Sequence, residues 1–326
     1  MIHIPFLKVH GSKNDFILID EELLSVSLTD EQKRDLAIIL CDREKSIGAD
    51  GILFISFQSH VDGRMQIMNA DGSEASMCGN GLRCAGRYIM EKTGKDEIVV
   101  ETKKADLYVR KHHSDRGLFY KVEISPVLFQ PSSLPMNTEL DQVINVKLEG
   151  ISDQLLFTAL AVPNPHLVSI VDKKTIKSST QKEIAEYLNG DNPYFPDGVN
   201  VSFVYPIKKG EIYVNTFERG VGFTNACGTA MSASSLVAIL NGLYEYEKPL
   251  KVYNNGGYVQ TIVHNQNEKV WIDLIGNATF SFKGNVNVDF ATDVMESAQI
   301  VYVYQHEEEQ YELIEKEAKE KLKNIF

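Results

Sequence analysis

The chain repeats itself once, at long period. Asn14-Asp15-Phe16-Ile17-Leu18-Ile19-Asp20 is matched by Asn164-Pro165-His166-Leu167-Val168-Ser169-Ile170-Val171-Asp172. Asp50-Gly51-Ile52-Leu53-Phe54 is matched by Asp197-Gly198-Val199-Asn200-Val201, and Cys78-Gly79 by Cys227-Gly228. The three offsets are 150, 147 and 149 residues. Coincidence among common turn residues does not keep one offset through three motifs. The period is too long for a solenoid repeat, so it reads as one domain present twice.

Most of the remaining pattern is strand-like alternation. It runs through residues 51–56, 64–68, 97–102, 119–125, 199–205, 212–217, 250–253, 258–263 and 269–274. Asn254-Asn255-Gly256-Gly257 predicts a hairpin. Helices are predicted at 29–40, opened by the capping box Thr29-x-x-Gln32, and at 79–92, 181–188 and 228–240. Thr93-Gly94 and Asn241-Gly242 suit glycine C-caps. In the charged tail, Tyr311, Ile314, Ala318, Leu322 and Ile325 form an amphipathic stripe. It reads either as packed on its own domain or as a contact in a homodimer.

The net charge of −12 disfavours nucleic acid, whose phosphates need a basic footprint. No apolar run reaches the roughly 20 residues of a membrane helix. The start of the chain has no long apolar stretch of signal-peptide type. Four cysteines, Cys41, Cys78, Cys84 and Cys227, are too few for a secreted disulfide framework. The expectation is a cytoplasmic protein with free thiols.

Cys78 and Cys227 carry the chemistry. Each precedes a glycine, opens an apolar helical segment, and lies nine residues after a polar residue, Asn69 or Glu218. A helix start presents unpaired N–H groups and a positive dipole end, which favour a thiolate and also hold a substrate carboxylate. Two such thiols, one from each half, suit a reaction that removes a proton from one face of a carbon and returns it to the other. Cys41 and Cys84 read as small buried apolar residues; Cys84 lies about 240° around the helix from Cys78. No CxxC or clustered Cys/His spacing marks a metal site, and no phosphate loop marks a nucleotide site, so neither metal nor cofactor is expected.

Five ordered segments resemble the diaminopimelate epimerase family, the cofactor-independent two-cysteine enzymes. They are Lys8 to Phe16, Asn69 to Cys84, Pro163-Asn164-Pro165-His166, Gly198-Val199-Asn200-Val201, and Glu218 to Thr229. The resemblance implies an α+β fold of two pseudo-symmetric domains, each with antiparallel strands wrapped around a central helix. Domain bounds of 1–125 plus 279–326, carrying Cys78, and 126–278, carrying Cys227, follow from the duplication. The resemblance implies an isomerase that converts LL-diaminopimelate to the meso form, for lysine and cell-wall synthesis. Cys78 and Cys227 would be base and acid, with His166 and Glu218 tuning the thiols. Substrate binding would fall on Asn14, Asn69, Asn164, Asn200, Glu218 and Arg219, and on the backbone of Gly79, Asn80, Gly228 and Thr229. Asn80 and Asn164 read equally as turn residues. Arg219 can fork onto a distal carboxylate.

Two positions depart from the family pattern. Phe223 stands where a glutamate is common, and Gly51 where some members carry a substrate-contacting glutamine. The alternative is another cofactor-free racemase, of the proline, hydroxyproline or histidine type. Arg219 with several asparagines argues instead for a long, doubly charged substrate.

Overall fold

Strands and helices alternate in one order, used twice. The protein is described by a computed structural model covering residues 1–114, 117–267, 269–290, 294–295 and 297–326. The chain divides into two units: Met1–Val122 with Gly276–Leu313, and Glu123–Ile275 with Ile314–Phe326. The first begins with β1 (Ile2–Gly11), β2 (Asn14–Asp20), α1 (Asp30–Leu40), β3 (Gly51–Ser56), β4 (Gly63–Asn69) and β5 (Glu74–Ala75). It continues with α2 (Gly79–Thr93), β6 (Glu97–Glu101), β7 (Asp106–Ser114) and β8 (Gly117–Ile124). The second holds β9 (Thr158–Val162), β10 (Asn164–Ile170), α3 (Lys173–Ile176), α4 (Thr180–Leu188), β11 (Asn200–Lys208), β12 (Glu211–Glu218) and β13 (Gly222–Phe223). After these come α5 (Gly228–Leu240), β14 (Pro249–Asn254), β15 (Gly257–Gln266) and β16 (Lys269–Gly276). The chain then forms β17 (Thr279–Asp289), β18 (Val294–Met295), β19 (Gln299–Val303) and α6 (Gln305–Ile325).

Strand pairing repeats step for step. In the first unit β1–β2 is antiparallel, β2–β3 parallel, β3–β4 and β4–β5 antiparallel, β4–β6 parallel and β6–β7 antiparallel. In the second, β9–β10, β10–β11, β11–β12, β12–β13, β12–β14 and β14–β15 follow the same sequence of directions. The sheets are therefore mixed rather than purely antiparallel. Parallel neighbours need a long crossover. α1 and α2 supply the two crossovers of the first unit; α3 with α4, and α5, supply those of the second. β17 adds to the first unit by pairing antiparallel with β1.

The crossover helices α2 and α5 are the central ones. α2 packs against β1, β2, β3, β4, β6 and β7, and α5 against β9, β10, β11, β12, β14 and β15. Glycines at 79, 81 and 86 weaken α2 by up to about 1 kcal/mol each. Complete burial of Leu82, Ile89 and Met90, at about 2 kcal/mol each, outweighs that cost. α2 ends where Gly94 adopts a left-handed φ of 73° and donates to the Met90 carbonyl. α5 is buried all round from Gly228 to Ile239, which its alanines and serines permit.

Of the tail stripe, Tyr311, Ile314 and Ala318 are buried within the chain, and Leu322 and Ile325 are half-buried. In the first turn of α6, Glu307 forks onto Arg87 at 2.5 and 2.8 Å. Glu308 meets His10 at 3.3 Å, Lys13 at 3.3 Å and the Ser281 hydroxyl. Desolvation works against the Glu308 carboxylate, but bonding to and the charge of His10, then Ser281 and Lys13, pull its pKa to about 2. In the unfolded chain a glutamate titrates near 4.3. The stability this carboxylate contributes is therefore complete above that value and lost as pH falls towards 2. Glu308→Gln should show a shallower loss of stability than the parent between pH 4.5 and 2, read by chemical denaturation. Parallel curves would disprove the pairing.

Candidate active site

Cys78 is the N-cap of α2, with extended backbone (φ −149°, ψ 111°). Its sulfur accepts from the Gly81 amide at 3.4 Å and donates to Asn14 Oδ1 at 3.6 Å. Asn14, the first residue of β2, takes a second bond on the same oxygen from Asn80 Nδ2 at 3.1 Å. Its own Nδ2 donates to Asp50 at 2.7 Å, and Asp50 in turn holds Arg43 at 2.8 Å. The first unit thus gathers Asn14, Cys78, Gly79 and Asn80. Asn69 ends β4, and its carboxamide donates to the Ser73 hydroxyl at 2.9 Å. Gly51 opens β3 opposite Asn69. A Cβ there would lie 2.5 Å from the Met68 carbonyl oxygen, so this backbone admits no side chain at 51.

Cys227 caps α5 in the same conformation (φ −117°, ψ 110°). Its sulfur lies 3.5 Å from the Thr229 hydroxyl. Desolvation, reinforced by the Glu218 carboxylate, raises this thiol well above its ordinary value, with Thr229 opposing. Glu218 ends β12 and accepts from the Thr224 hydroxyl. Next to it, the Arg219 amide donates to Asn200 Oδ1 at 2.9 Å, and its guanidinium donates to the Asp197 carbonyl at 2.9 Å. Among the described residues no carboxylate pairs with Arg219. Gly198 leaves it room: a Cβ there would sit 3.0 Å from Arg219 Cδ. Asn164 opens β10 beside Val162. Phe223 stacks edge-on against Phe217, with ring centroids 5.2 Å apart.

His166 is completely buried on β10, and neither ring nitrogen has a hydrogen-bond partner. Burial, with the Arg219 charge adding, lowers its pKa to about 3. The unfolded chain takes up this proton near pH 6.5. Folding stability should therefore fall by about 1 kcal/mol between pH 7.5 and 5.5 on account of His166. Urea titrations of the parent and His166→Asn at both values test this; an equal pH response in the two refutes it.

Neither central helix has an acidic residue in its first turn. No carboxylate therefore competes for the amides there, although the Gly81 amide already donates to the Cys78 sulfur. All four cysteines are reduced. Cys41 is the C-cap of α1 rather than an interior helical residue, and its buried thiol is raised to about 12. Cys84 is likewise buried and raised to about 12. Both are inert buried thiols. Sequence reasoning assigned no role to Asp50 or Arg83, though both bond to site asparagines. Asp50 is the aspartate of the repeated Asp-Gly pair and Arg83 follows Cys78 by five residues, and neither pattern by itself implies a contact. Among the described residues no group of three His, Cys, Asp or Glu is placed to hold a metal. No described helix is long and apolar enough to cross a membrane.

A family model described as diaminopimelate epimerase matches residues 6–127 and 158–281. A Listeria monocytogenes protein named diaminopimelate epimerase is 49% identical over 333 aligned residues, covering 99% of both chains. One so named from Enterococcus faecalis is 47% identical over 86% of this chain and 88% of its own. Among solved structures, a Bacillus anthracis phenazine biosynthesis protein of the PhzF family superposes with a TM-score of 0.62 at 17% identity. It covers 88% of this chain and all of the other. A probable proline racemase from Agrobacterium radiobacter gives 0.58 at 13% identity, covering 89% and 93%. These two likenesses concern the fold alone.

Proposed function

The chain belongs to the diaminopimelate epimerase family and is an isomerase, and on that premise we propose that it inverts one α-carbon of LL-diaminopimelate to give the meso isomer, with Cys78 and Cys227 as the proton-transfer pair. The observation that carries this reading is the matched setting of the two thiols. Each caps a glycine-led central helix whose first turn has no carboxylate. The product would serve lysine and cell-wall synthesis in the cytosol.

The chemistry follows from those settings. The first-turn amides bind the α-carboxylate and draw charge from the neighbouring carbon. One thiolate takes the α-proton, leaving the electron pair on carbon. The other thiol delivers its proton to the opposite face and becomes the thiolate. Between turnovers the thiol formed loses its proton to solvent and the thiolate formed gains one from it, which restores the starting state. Cys227, held protonated by desolvation and Glu218, suits the proton donor. His166 is neutral at working pH and, with its pKa lowered to about 3, a weak base, so any tuning of Cys227 by it would come from a neutral ring. Arg219 forks onto the distal carboxylate. Asn14, Asn69, Asn164 and Asn200, each both donor and acceptor, check the distal amino acid centre.

The test is turnover in deuterated water. LL-diaminopimelate should become meso with deuterium at the inverted carbon, while proline, hydroxyproline and histidine stay unlabelled. Exchange on a cyclic amino acid with none on diaminopimelate would replace this reading with the alternative racemase.

A further inference from the structure

Arg83 projects from the second turn of α2 into a closed slot and is completely buried. Its Nε donates to the Asn277 carbonyl at 2.9 Å and its Nη1 to the Gly79 carbonyl at 3.4 Å. Its Nη2 donates to Ser12 Oγ at 3.4 Å and to Asn80 Oδ1 at 2.9 Å. Every one of these acceptors is neutral, and among the described residues no carboxylate pairs with the guanidinium. Two glycines form the walls. A Cβ on Gly11 would lie 2.8 Å from Nη2, and one on Gly276 would lie 3.0 Å from Cζ. An unpaired buried charge is expensive, and this slot is built to keep one.

We propose that Arg83 is a positioning residue for Cys78, fixing the carboxamides that meet its sulfur and acting as the counter-charge of its thiolate. The proposal rests on Cys78 being one of the two proton-transfer groups. By holding Asn80 Oδ1, Arg83 turns Asn80 Nδ2 towards Asn14 Oδ1, the oxygen on which Cys78 also rests. At the far end Asp50 fixes the Asn14 amide from its nitrogen side. The pair is therefore anchored by a cation at one end and an anion at the other. The Asn14 oxygen favours the protonated thiol. The Gly81 amide, the helix start and the Arg83 charge favour the thiolate.

The surrounding groups point the same way. Burial lowers the Arg83 pKa, and ionisation of Cys84, Cys78 or Tyr311 would favour its charge. Cys84 is held protonated by burial, and Tyr311 of α6 contributes a phenol. Arginine itself stays charged in proteins. Other charged or titratable groups near the cluster are Asp50 with Arg43, reached through Asn14, Asp15, which Arg43 and Lys8 pair, His10 with Glu308 and Lys13, reached through Asn277, and Arg87, which Glu307 pairs.

The experiment is the pH dependence of alkylation at Cys78 and at Cys227, resolved by peptide mass spectrometry on the intact protein with iodoacetamide. Arg83→Met should raise the Cys78 midpoint by about one pH unit and leave Cys227 in place. Arg83→Lys keeps the charge and should stay near the parent midpoint. Asn80→Asp keeps the slot filled and supplies the missing carboxylate. It should raise the Cys78 midpoint even if Arg83→Met fails to fold. An unmoved Cys78 midpoint in the folded variants, or an equal shift at both cysteines, overturns the proposal. Alkylation needs no turnover. A shifted midpoint together with intact epimerisation in Cys78→Ala would refute the proposed function, and with it a catalytic use of Arg83, while showing that Arg83 still sets the Cys78 thiol.

Discussion

Cys78→Ala and Cys227→Ala should each slow conversion between LL- and meso-diaminopimelate by roughly 1,000-fold or more. Positioned proton transfer is worth about 10²–10⁴-fold for each group. Inversion needs both groups in one turnover, so the double variant should be scarcely slower than either single one. The surviving thiol still addresses one face of the carbon. Each variant should therefore retain slow α-deuterium exchange into one isomer without inversion, and the two variants should select opposite isomers. Exchange into the same isomer in both would remove the assignment of one thiol to each face. The variants are expected to fold, because both cysteines are N-caps in extended conformation and only half-buried.

Arg219→Met should lower kcat/KM for diaminopimelate by about 100-fold, corresponding to about 3 kcal/mol for a lost charge-assisted fork. The loss should lie mostly in KM, because the distal carboxylate is bound alike in ground and transition states. Arg219→Lys should recover only part, since an ammonium is a point charge without the fork. The backbone stays in place in these variants: Asn200 holds residue 219 through its amide, and Gly198 leaves space for any unbranched side chain. An unchanged KM in Arg219→Met would mean that the distal carboxylate is bound elsewhere.

Much of this was legible in the sequence, for reasons that differ by element. The duplication was visible because β2 and β10 start with the same asparagine, and α2 and α5 with the same Cys-Gly. α1 declared itself through its capping box, in which Thr29 and Gln32 each accept from the other's backbone amide. The Asn254 to Gly257 turn joins β14 and β15 as its dipeptides require. Alternation did not reveal β1, β2, β9 or β10. Their central residues are buried on both faces, so no period-two signal survives. Parallel pairing was hidden as well, because strand direction is set by crossover helices and not by residue type.

At the site, the two thiols and their helix-start settings were readable from short motifs. The bare ring of His166 was not: its neutrality arises from complete burial on β10. Arg83 was also invisible as a functional residue. An arginine in a helix normally reads as exposed, and only the glycines at 11 and 276, remote in sequence, make room for it. The exclusion of a side chain at Gly51 likewise depends on a carbonyl from the neighbouring strand.

In the proposed reaction two different sulfur atoms serve opposite faces of one carbon. Its most direct measurement is the early time course of deuterium uptake in heavy water, started separately from each isomer and resolved by isomer with mass spectrometry. In the first per cent of reaction every product molecule should carry deuterium at the inverted carbon while the recovered starting isomer carries none, in both directions. Product that keeps its original protium, or label that enters the starting isomer as fast as the product, would contradict it.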